Sequence, residues 1–486
     1  MTGLVVRGRA VDERGVGGRR RRRPAVGWST PARIRAGAAA ALVLACCLAA
    51  VIAVLLGRLD GEFQSIGNRQ VPEVDAATGM YFSLNDMDAQ VANVLLVGGN
   101  ASLAADRASD LTIYGRDRAT ASRDLQQATV TEAGDATAQG DLQSVLDRIG
   151  QYETLAADAL LTSQQGGGTA GRAPAASVGY YQQATDLMQT GILPTVSSLT
   201  NVSASEVNST YQAGLTTSQT GIVVVIALGV LLVAAAVALQ LYLTARCRRM
   251  VHPALAVATL VAIALVGVTV AQLSAEAGHL RVAKQDAFDS IIALTQARAV
   301  SYDANADESR YLVDPGRAAQ YQQAFGVKSD QIASVGPVGI FGYDAALATD
   351  IRTYQSDSSD VRFGGYLGAE FRNITFPGER AAAVRTLLAY QVYERDDRVL
   401  RTLAKSNLPA AVAFDIGPAA SQSDGAFNRY DAALSSVIAI NSRAFTAAVQ
   451  DGQGGAGWDI GFPAAAAVIL ALLLLAGVRP RLAEYR

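Results

Sequence analysis

Side chains able to carry out catalysis or to bind a metal are scarce in this sequence of 486 residues. Histidine occurs at His252 and His279, and neither has a cysteine or an acidic residue at the spacing of a metal ligand. A nucleophilic triad needs a base, and the long polar segments of the chain share one histidine, His279. Because no glycine-rich phosphate loop follows a strand, the sequence predicts no enzymatic activity, no cofactor and no metal.

Recognition chemistry is concentrated in one stretch, GAEFRNITFPGERAAA (368–383). Aromatic side chains and arginine are enriched at the hot spots of protein interfaces, so the stretch is a candidate partner-binding surface. The same letters also predict a helix end, a turn at Pro377-Gly378 and a new helix that starts near an acidic residue. Both interpretations remain open. The six candidate residues are Phe371, Arg372, Asn373, Phe376, Glu379 and Arg380.

These side chains must be positioned by a chain that is half hydrophobic, at 50% of its residues. Four apolar runs carry no charge: Ala36–Gly57, Gly221–Thr244, Pro253–Leu273 and Ile460–Val478. About 20 apolar residues in a helix cross the ~30 Å hydrocarbon core of a bilayer. The sequence therefore predicts a membrane protein with four transmembrane helices.

Arginines set the predicted topology. Arg246, Arg248 and Arg249 lie in the short gap between the second and third apolar runs, Arg19–Arg23 precede the first run, and Arg479 follows the fourth. Basic residues in short loops stay in the cytoplasm. We therefore predict a multi-pass protein of the cell membrane with both termini cytoplasmic. The Arg-rich arm would bind anionic lipid or, alternatively, an acidic cytoplasmic partner.

The long segments between the spans are predicted to be helical and extracytoplasmic. Each contains a one-faced stripe at steps of three and four residues, and neither contains a cysteine. The stripes are Leu142, Val145, Ile149, Tyr152, Ala156 and Ala159, and Leu434, Val437, Asn441, Phe445 and Ala448. A break is expected after span one at Pro72 and before span four at 451–457, so spans two and three would form the stiff pair that relays displacement to the arginine hairpin.

The fold class that follows is an all-α membrane protein with two extracytoplasmic four-helix bundles. Placing Leu84–Gly99 over Ser301–Gly316 aligns Asp86 with Asp303 and Leu95 with Leu312, which indicates a duplicated module. The predicted division is an Arg-rich arm (1–35), span one (36–57), bundle one (58–220), span two (221–244), a cytoplasmic hairpin (245–252), span three (253–273), bundle two (274–459), span four (460–478) and a cytoplasmic tail (479–486).

Short motifs along the chain carry two resemblances. YFSLNDMDAQVANVLLVGG (81–99) resembles the first helix of the four-helix-bundle sensing domains of bacterial chemoreceptors and sensor kinases, and 297–316 does so more faintly. The order of spans and bundles, with STPARIRAG (29–37) and NITFPGER (373–380), is similar to GlnX-like membrane proteins of actinobacteria. That resemblance implies an extracytoplasmic lipoprotein that binds an amino acid, glutamate or aspartate, and a cytoplasmic serine/threonine protein kinase as partners.

Taken together, these patterns predict a non-catalytic transmembrane sensor or relay that binds no nucleic acid. They leave open whether it is a homo-oligomer. A structural or accessory subunit of an exporter or envelope complex is the first alternative. A small-solute channel is the second. The spans carry no acidic or basic residue, which argues against a proton-coupled carrier.

Overall fold

The computed structural model describes residues 30–131, 136–247, 253–453 and 456–483. Within these ranges the chain is helical and forms no β-strand, as predicted. The α-helices are α1 (Thr30–Ser65), α2 (Val71–Val97), α3 (Ala104–Thr131), α4 (Ala136–Gly166), α5 (Ala175–Leu187), α6 (Leu193–Cys247), α7 (Pro253–Arg281), α8 (Asp289–Val313), α9 (Ala318–Ile332), α10 (Ile340–Ser356), α11 (Gly365–Asn373), α12 (Glu379–Ser406), α13 (Leu408–Asp415), α14 (Ser423–Gln453) and α15 (Ala456–Ala483).

Three pairs of these helices are joined without a break by π-helical turns. Ile66–Gln70 joins α1 to α2, Met188–Ile192 joins α5 to α6, and Val282–Phe288 joins α7 to α8. Pro72, expected to interrupt the helix after span one, instead lies in the first turn of α2. The wider π-helical turn just before it accommodates a residue that lacks an N–H donor, so the helix continues.

Five helices of the described ranges are long and apolar enough to cross a membrane: Pro31–Val97, Ala175–Ala245, Pro253–Val313, Ser423–Gln453 and Gly461–Arg479. Four of them contain the predicted apolar runs. The fifth candidate, Ser423–Gln453, has a mean hydropathy of 1.3, against 2.4 to 3.2 for the others. The chain is therefore a membrane protein by the length and composition of its helices.

One compact unit is formed by the helical parts of Met1–Cys47, Leu228–Ile263 and Ala466–Arg486. Its helices approach closely at glycine. A Cβ atom at Gly37 would lie 3.2 Å from Leu239 Cδ1, and one at Gly477 would lie 2.8 Å from Leu255 Cγ. Small residues at such contacts allow apolar helices to pack by van der Waals contact.

The second compact unit contains Leu48–Ala227 and Ala264–Ala465. Its first core combines the buried stripe of α4 with residues of α2, α3 and α5, and it also takes in Leu312, Val412 and Ile416 from the second segment. The second core is aromatic and lies among α8 to α12 and α14. The two outer segments are thus not packed as independent cores, because residues of the second complete the core of the first.

Among its described residues, the second outer segment contains seven complete α-helices, α8 to α14, rather than the four expected. Glycine and proline account for the extra breaks. Gly365 and Gly378 have φ of +68° and +84°, a conformation that favours glycine. Gly365 is the first residue of α11, and Gly378 immediately precedes α12. Pro409 lies in the first turn of α13, where its missing N–H costs no hydrogen bond.

Candidate functional site

Helices α2 and α8, one from each outer segment, lie side by side in the second unit. The rings of Phe82 and Tyr302 meet edge to face with their centroids 4.1 Å apart. Further along both helices, the Ser309 hydroxyl donates to the side-chain oxygen of Asn93 at 2.6 Å. Because the contacts advance in the same order along both helices, α2 and α8 run in the same direction.

Arg310 is a buried cation at the centre of this pair, with its side chain 1% exposed. Its Nη2 lies 2.7 Å from Asp88 Oδ2 on α2. Its Nη1 lies 2.9 Å from Asp303 Oδ1 and 2.6 Å from Asp307 Oδ1, both on α8. The planar guanidinium has five N–H donors, so one side chain can contact three carboxylates. Arg310 therefore ties the first outer segment to the second.

Asp88 collects donors from three further helical positions. The hydroxyls of Tyr152, Tyr181 and Thr185 donate to its carboxylate at 3.1, 3.2 and 3.0 Å. Burial, and then the charge of Asp88, raises the pKa of both tyrosines well above their ordinary value, so they stay protonated donors. A buried carboxylate needs such pairing to be stable. Asp88 thus joins α4, α5 and α8 to α2.

Lys328 on α9 supplies the second cation, and its side chain is 13% exposed. Its Nζ lies 2.7 Å from Asp303 Oδ2 and 2.6 Å from Asp307 Oδ2. Burial alone would raise the pKa of Asp303, but Lys328 and Arg310 lower it to about 2. The cluster of Asp88, Asp303, Asp307, Arg310 and Lys328, here called the ionic lock, therefore contains three acidic and two basic side chains.

The π-helical turn Met188–Ile192 is also tied to the ionic lock. Gln189, within that turn, donates from Nε2 to Asp303 Oδ1 at 2.7 Å. About two helical turns earlier, Gln182 donates to Asp314 Oδ2 at 2.8 Å. The helix that leads to the second apolar run is thereby held against α8 by hydrogen bonds to carboxylates.

A second buried charged centre lies inside the second outer segment. Arg401 is fully buried and its Nη2 lies 2.7 Å from Asp397 Oδ1, while its guanidinium lies 4.7 Å from the ring centre of Tyr311. The Ser423 hydroxyl donates to Glu308 at 3.1 Å, and burial raises the pKa of Glu308 well above its ordinary value. This centre connects α8, α12 and α14 and holds the face of α8 opposite the first segment.

The predicted partner-binding stretch forms the helix end, turn and new helix that its sequence also allowed: α11 ends at Asn373, α12 begins at Glu379, and Gly378 lies between them. The buried Glu379 accepts the N–H groups of Thr375 and Phe376 at 2.7 and 2.8 Å. Its other oxygen accepts from an asparagine of α14 at 2.7 Å. Glu379 therefore holds the turn to the core and is not itself a surface residue.

The aromatic and basic residues of the stretch also have internal partners. Phe371 is 5% exposed and meets Tyr354 and Phe363 edge to face. Arg372 donates to the carbonyl of Phe363 at 2.9 Å, and Arg380 donates to the Tyr354 hydroxyl at 2.7 Å. These contacts stabilise the turn from both sides.

Asn373 connects the stretch to the helix that follows the third apolar run. Its Nδ2 donates to the carbonyl of Gln285 at 2.8 Å and to the Ser290 hydroxyl at 3.0 Å, at the π-helical turn Val282–Phe288. π-Helical turns leave carbonyls in need of donors, which Asn373 provides. Partner binding by this stretch stays a prediction, and it can involve the four candidates that are exposed or half-buried: Arg372, Asn373, Phe376 and Arg380.

The residues predicted to set topology are placed only in part. Arg246 lies in the last turn of α6, which ends at Cys247. Arg248 and Arg249 lie outside the described residues, as does the Arg-rich arm up to residue 29.

Sequence reasoning missed the ionic lock. Asp303, Asp307 and Arg310 are spaced four and three residues apart, which puts all three on one face of a helix. That spacing is equally typical of a solvated surface. Asp88 and Arg310 are 222 residues apart in the chain, so no local pattern pairs them.

The first outer segment has a counterpart among known protein families. Residues 62–212 match the family model of the actinobacterial sensor domain. The match begins in α1, extends into α6, and includes Asp88 with the hydroxyl donors Tyr152, Tyr181 and Thr185, but not Arg310. It supports an actinobacterial sensor protein. No curated protein and no solved structure matches the chain.

Proposed function

We propose that this chain is a non-catalytic transmembrane relay, in which binding outside the membrane changes how α2 packs against α8. The observation that carries the proposal is the buried pair of Arg310 and Asp88 at 2.7 Å. This ion pair joins the first outer segment, which resembles a sensor domain, to the second. Each of its two residues lies on a helix that continues without a break from an apolar run: Asp88 in Pro31–Val97 and Arg310 in Pro253–Val313.

A relay of this kind needs an element with two packing arrangements, because a ligand shifts an equilibrium only by its differential affinity for the two states. The ionic lock suits that role. Its charges are buried, so an intermediate arrangement with one carboxylate unpaired is costly, and the packing switches between discrete states. Long helices transmit the resulting displacement because they are stiff along their axis.

Four spans with both termini in the cytoplasm remain the topology that we propose. The fifth candidate helix, α14, uses its apolar face in the aromatic core, where Leu434 and Val437 are fully buried. Its other face carries the exposed charged residues Arg429, Arg443 and Asp451. A helix with one face in a protein core and a charged face outward is typical of a soluble domain.

We also propose that the two outer segments arose by duplication and that the second was elaborated from a four-helix bundle. The alignment that places Asp86 over Asp303 also places the π-helical turn Ile66–Gln70 over residues 283–287, inside Val282–Phe288. π-Helical turns are rare, so their occurrence at aligned positions supports a common origin.

The partners in this proposal are those that the sequence resemblance implies. An extracytoplasmic lipoprotein that binds glutamate or aspartate would contact the outer segments, and a cytoplasmic serine/threonine kinase would respond at the hairpin that contains Arg246. Anionic lipid would hold the Arg-rich arm. The polar, largely helical outer surface offers room for such a partner, but the proposal rests on the lock and not on a defined interface.

The experiment compares Asp88→Asn with Arg317→Met in cells that lack the native gene. Arg317 also bridges the two segments, through Asp186 at 2.7 Å, but both side chains are partly exposed. After a shift to glutamate or aspartate, phosphorylation of the kinase's substrate should be lost or become constitutive with Asp88→Asn and remain normal with Arg317→Met.

Membrane levels of both variants are measured by immunoblot, so that loss of protein is distinguished from loss of signalling. A normal response from Asp88→Asn at normal abundance would contradict a relay through the ionic lock.

A further inference from the structure

A pocket of about 230 Å³ lies between the two outer segments, beside the contact of α2 with α8. Four aspartates line it: Asp86, Asp106, Asp110 and Asp424. Arg116 is the basic residue of its lining, and it is exposed at the rim, where its Nε lies 3.5 Å from Asp117. The pocket therefore combines four acidic groups with one cation that is already paired.

Two acceptors at the base of this pocket lack a donor. Asp110 is 7% exposed and Gln90 is 8% exposed, and both line the pocket. Within the described part of the chain, neither Asp110 Oδ2 nor Gln90 Oε1 has a hydrogen-bond partner. Gln90 uses its amide N–H on Asp86 at 2.7 Å, which leaves its oxygen facing no donor. Buried acceptors without partners cost free energy, so a bound donor would be stabilised here.

A metal ion fits this arrangement poorly. Across the ranges that the structure describes, no three His, Cys, Asp or Glu side chains are grouped so that they could hold a metal. An organic cation does not need acidic side chains grouped around one point, because each of its N–H groups can donate to a different acceptor of the pocket. Two of the lining residues, Tyr302 and Phe427, are aromatic and suit the carbon skeleton or the charge of such a molecule.

We propose that this pocket binds a small organic cation with ammonium or guanidinium groups, such as a diamine or a basic amino acid, which donates to Asp110 and Gln90. The proposal goes beyond the relay, since binding here can be measured without any cytoplasmic readout. Residues of both outer segments line the pocket, so the ligand would bind at the junction that contains α2 and α8.

The ionisation of the pocket gives this binding a pH dependence. Burial, and then the charges of Asp424 and Asp106, raises the pKa of Asp110 to about 8, and burial raises the pKa of Asp424 to about 7. Burial, and then Asp117, raises the pKa of Asp86 well above its ordinary value. The titratable and charged groups at the pocket are Asp86 on α2, Asp106, Asp110, Arg116 and Asp117 on α3, Tyr302 on α8 and Asp424 on α14.

Without a cation, Asp110 is therefore largely protonated at neutral pH, and binding must displace its proton. Affinity should rise as pH increases, by about tenfold or more between pH 6.5 and pH 8.5, because each unit below the pKa reduces the ionised fraction about tenfold. The amine itself remains charged over this range.

The test uses the purified full-length protein in detergent, with putrescine and arginine as probes and calorimetry as the readout. Glutamate, sodium chloride at matched ionic strength, and magnesium or calcium chloride are the comparison ligands. Asp110→Asn should weaken binding by about tenfold or more, since it removes a charge-assisted hydrogen bond. The control is Asp141→Asn, which makes the same carboxylate-to-amide change at an exposed aspartate on α4. It should leave binding unchanged.

Asp110→Asn resembles the protonated form of the residue, so the fold should persist, which circular dichroism checks. Saturable binding of putrescine or arginine that is weakened by Asp110→Asn and strengthened at higher pH supports the proposal. It is overturned if neither amine binds, if Asp110→Asn binds as wild type does, or if only the divalent metals bind.

Discussion

Replacing Arg310 with methionine tests the energetic weight of the ionic lock. Methionine keeps an unbranched apolar stem but removes the guanidinium that contacts Asp88, Asp303 and Asp307 within 2.6 to 2.9 Å. All three carboxylates are at most 6% exposed, so water cannot replace the lost partner. Lys328 would then pair with Asp303 and Asp307, and Asp88 would lose its cation.

The expected magnitude follows from that burial. Removing one partner of a buried ion pair costs about 3–5 kcal/mol, because it leaves a buried charge uncompensated. An unfolding entropy of about 2.1 cal/mol/K per residue means roughly 1.2 °C per kcal/mol for a unit as large as Leu48–Ala227 with Ala264–Ala465, so the unfolding temperature should fall by roughly 4–6 °C. Circular dichroism at the helix signal is a suitable assay, since the chain has only two tryptophans for fluorescence.

The penalty should also depend on pH. In the wild type the pKa of Asp303 is about 2, below that of an unfolded aspartate. Its contribution is therefore present above about pH 4 and is lost as pH falls towards 2. Without Arg310 that pKa rises, and the carboxylates can take up protons. The difference between Arg310→Met and wild type should therefore be smaller at pH 5 than at pH 7.5.

Arg317→Met is the matched control, since Arg317 is 31% exposed and its partner Asp186 is 53% exposed. An exposed pair of this kind contributes at most about 1 kcal/mol. The reasoning would be refuted if Arg310→Met lowered the unfolding temperature no more than Arg317→Met. It would also be refuted if the difference in unfolding temperature between Arg310→Met and wild type were the same at pH 5 and pH 7.5.

Two further outcomes are expected. Burial raises the pKa of the fully buried Glu370 to about 8, above that of an unfolded glutamate, so its contribution is present below about pH 4 and is lost as pH rises towards 8. The free energy of unfolding of Glu370→Gln should therefore change less with pH between 6 and 8 than that of the wild type. The difference in slope is up to about 1.4 kcal/mol per pH unit. In cells whose Cys46 and Cys47 are replaced by alanine, an impermeant thiol reagent should label Gly150→Cys before permeabilisation and Cys247 only afterwards, and the reverse order would contradict the proposed topology.

Helical periodicity was sufficient to predict much of the fold. Every residue of the α4 stripe, from Leu142 to Ala159, is buried, and so is the α14 stripe from Leu434 to Ala448. The period of 3.6 residues fixes which face of a helix is apolar, and the apolar face must be covered. That is a local property, so a single sequence contains it.

The contacts between the two segments could not be predicted in this way. Charged residues at helical spacing are usually solvated, and the burial of Arg310 depends on Asp88, which a local pattern cannot identify. Leu312 and Val412 of the second segment pack in the core of the first segment, and a local pattern cannot predict this contact either. Pro72 was wrongly expected to end a helix because the π-helical turn before it leaves no mark in composition.

These non-local contacts change which helices would carry the proposed relay. The short arginine hairpin suggested that spans two and three form the coupled pair. The ionic lock adds a second coupling, between α2 and α8, so the helix Pro253–Val313 takes part in both. The helices leading to spans one and three each contain a π-helical turn between the apolar run and the lock residues, Ile66–Gln70 and Val282–Phe288. The helix leading to span two contains the turn Met188–Ile192, whose Gln189 donates to Asp303 of the lock. Such a turn can absorb or release one residue of helical register at little cost, so a change in the lock would reach the apolar runs as a rotation of the helix about its axis and not only as a shift along it.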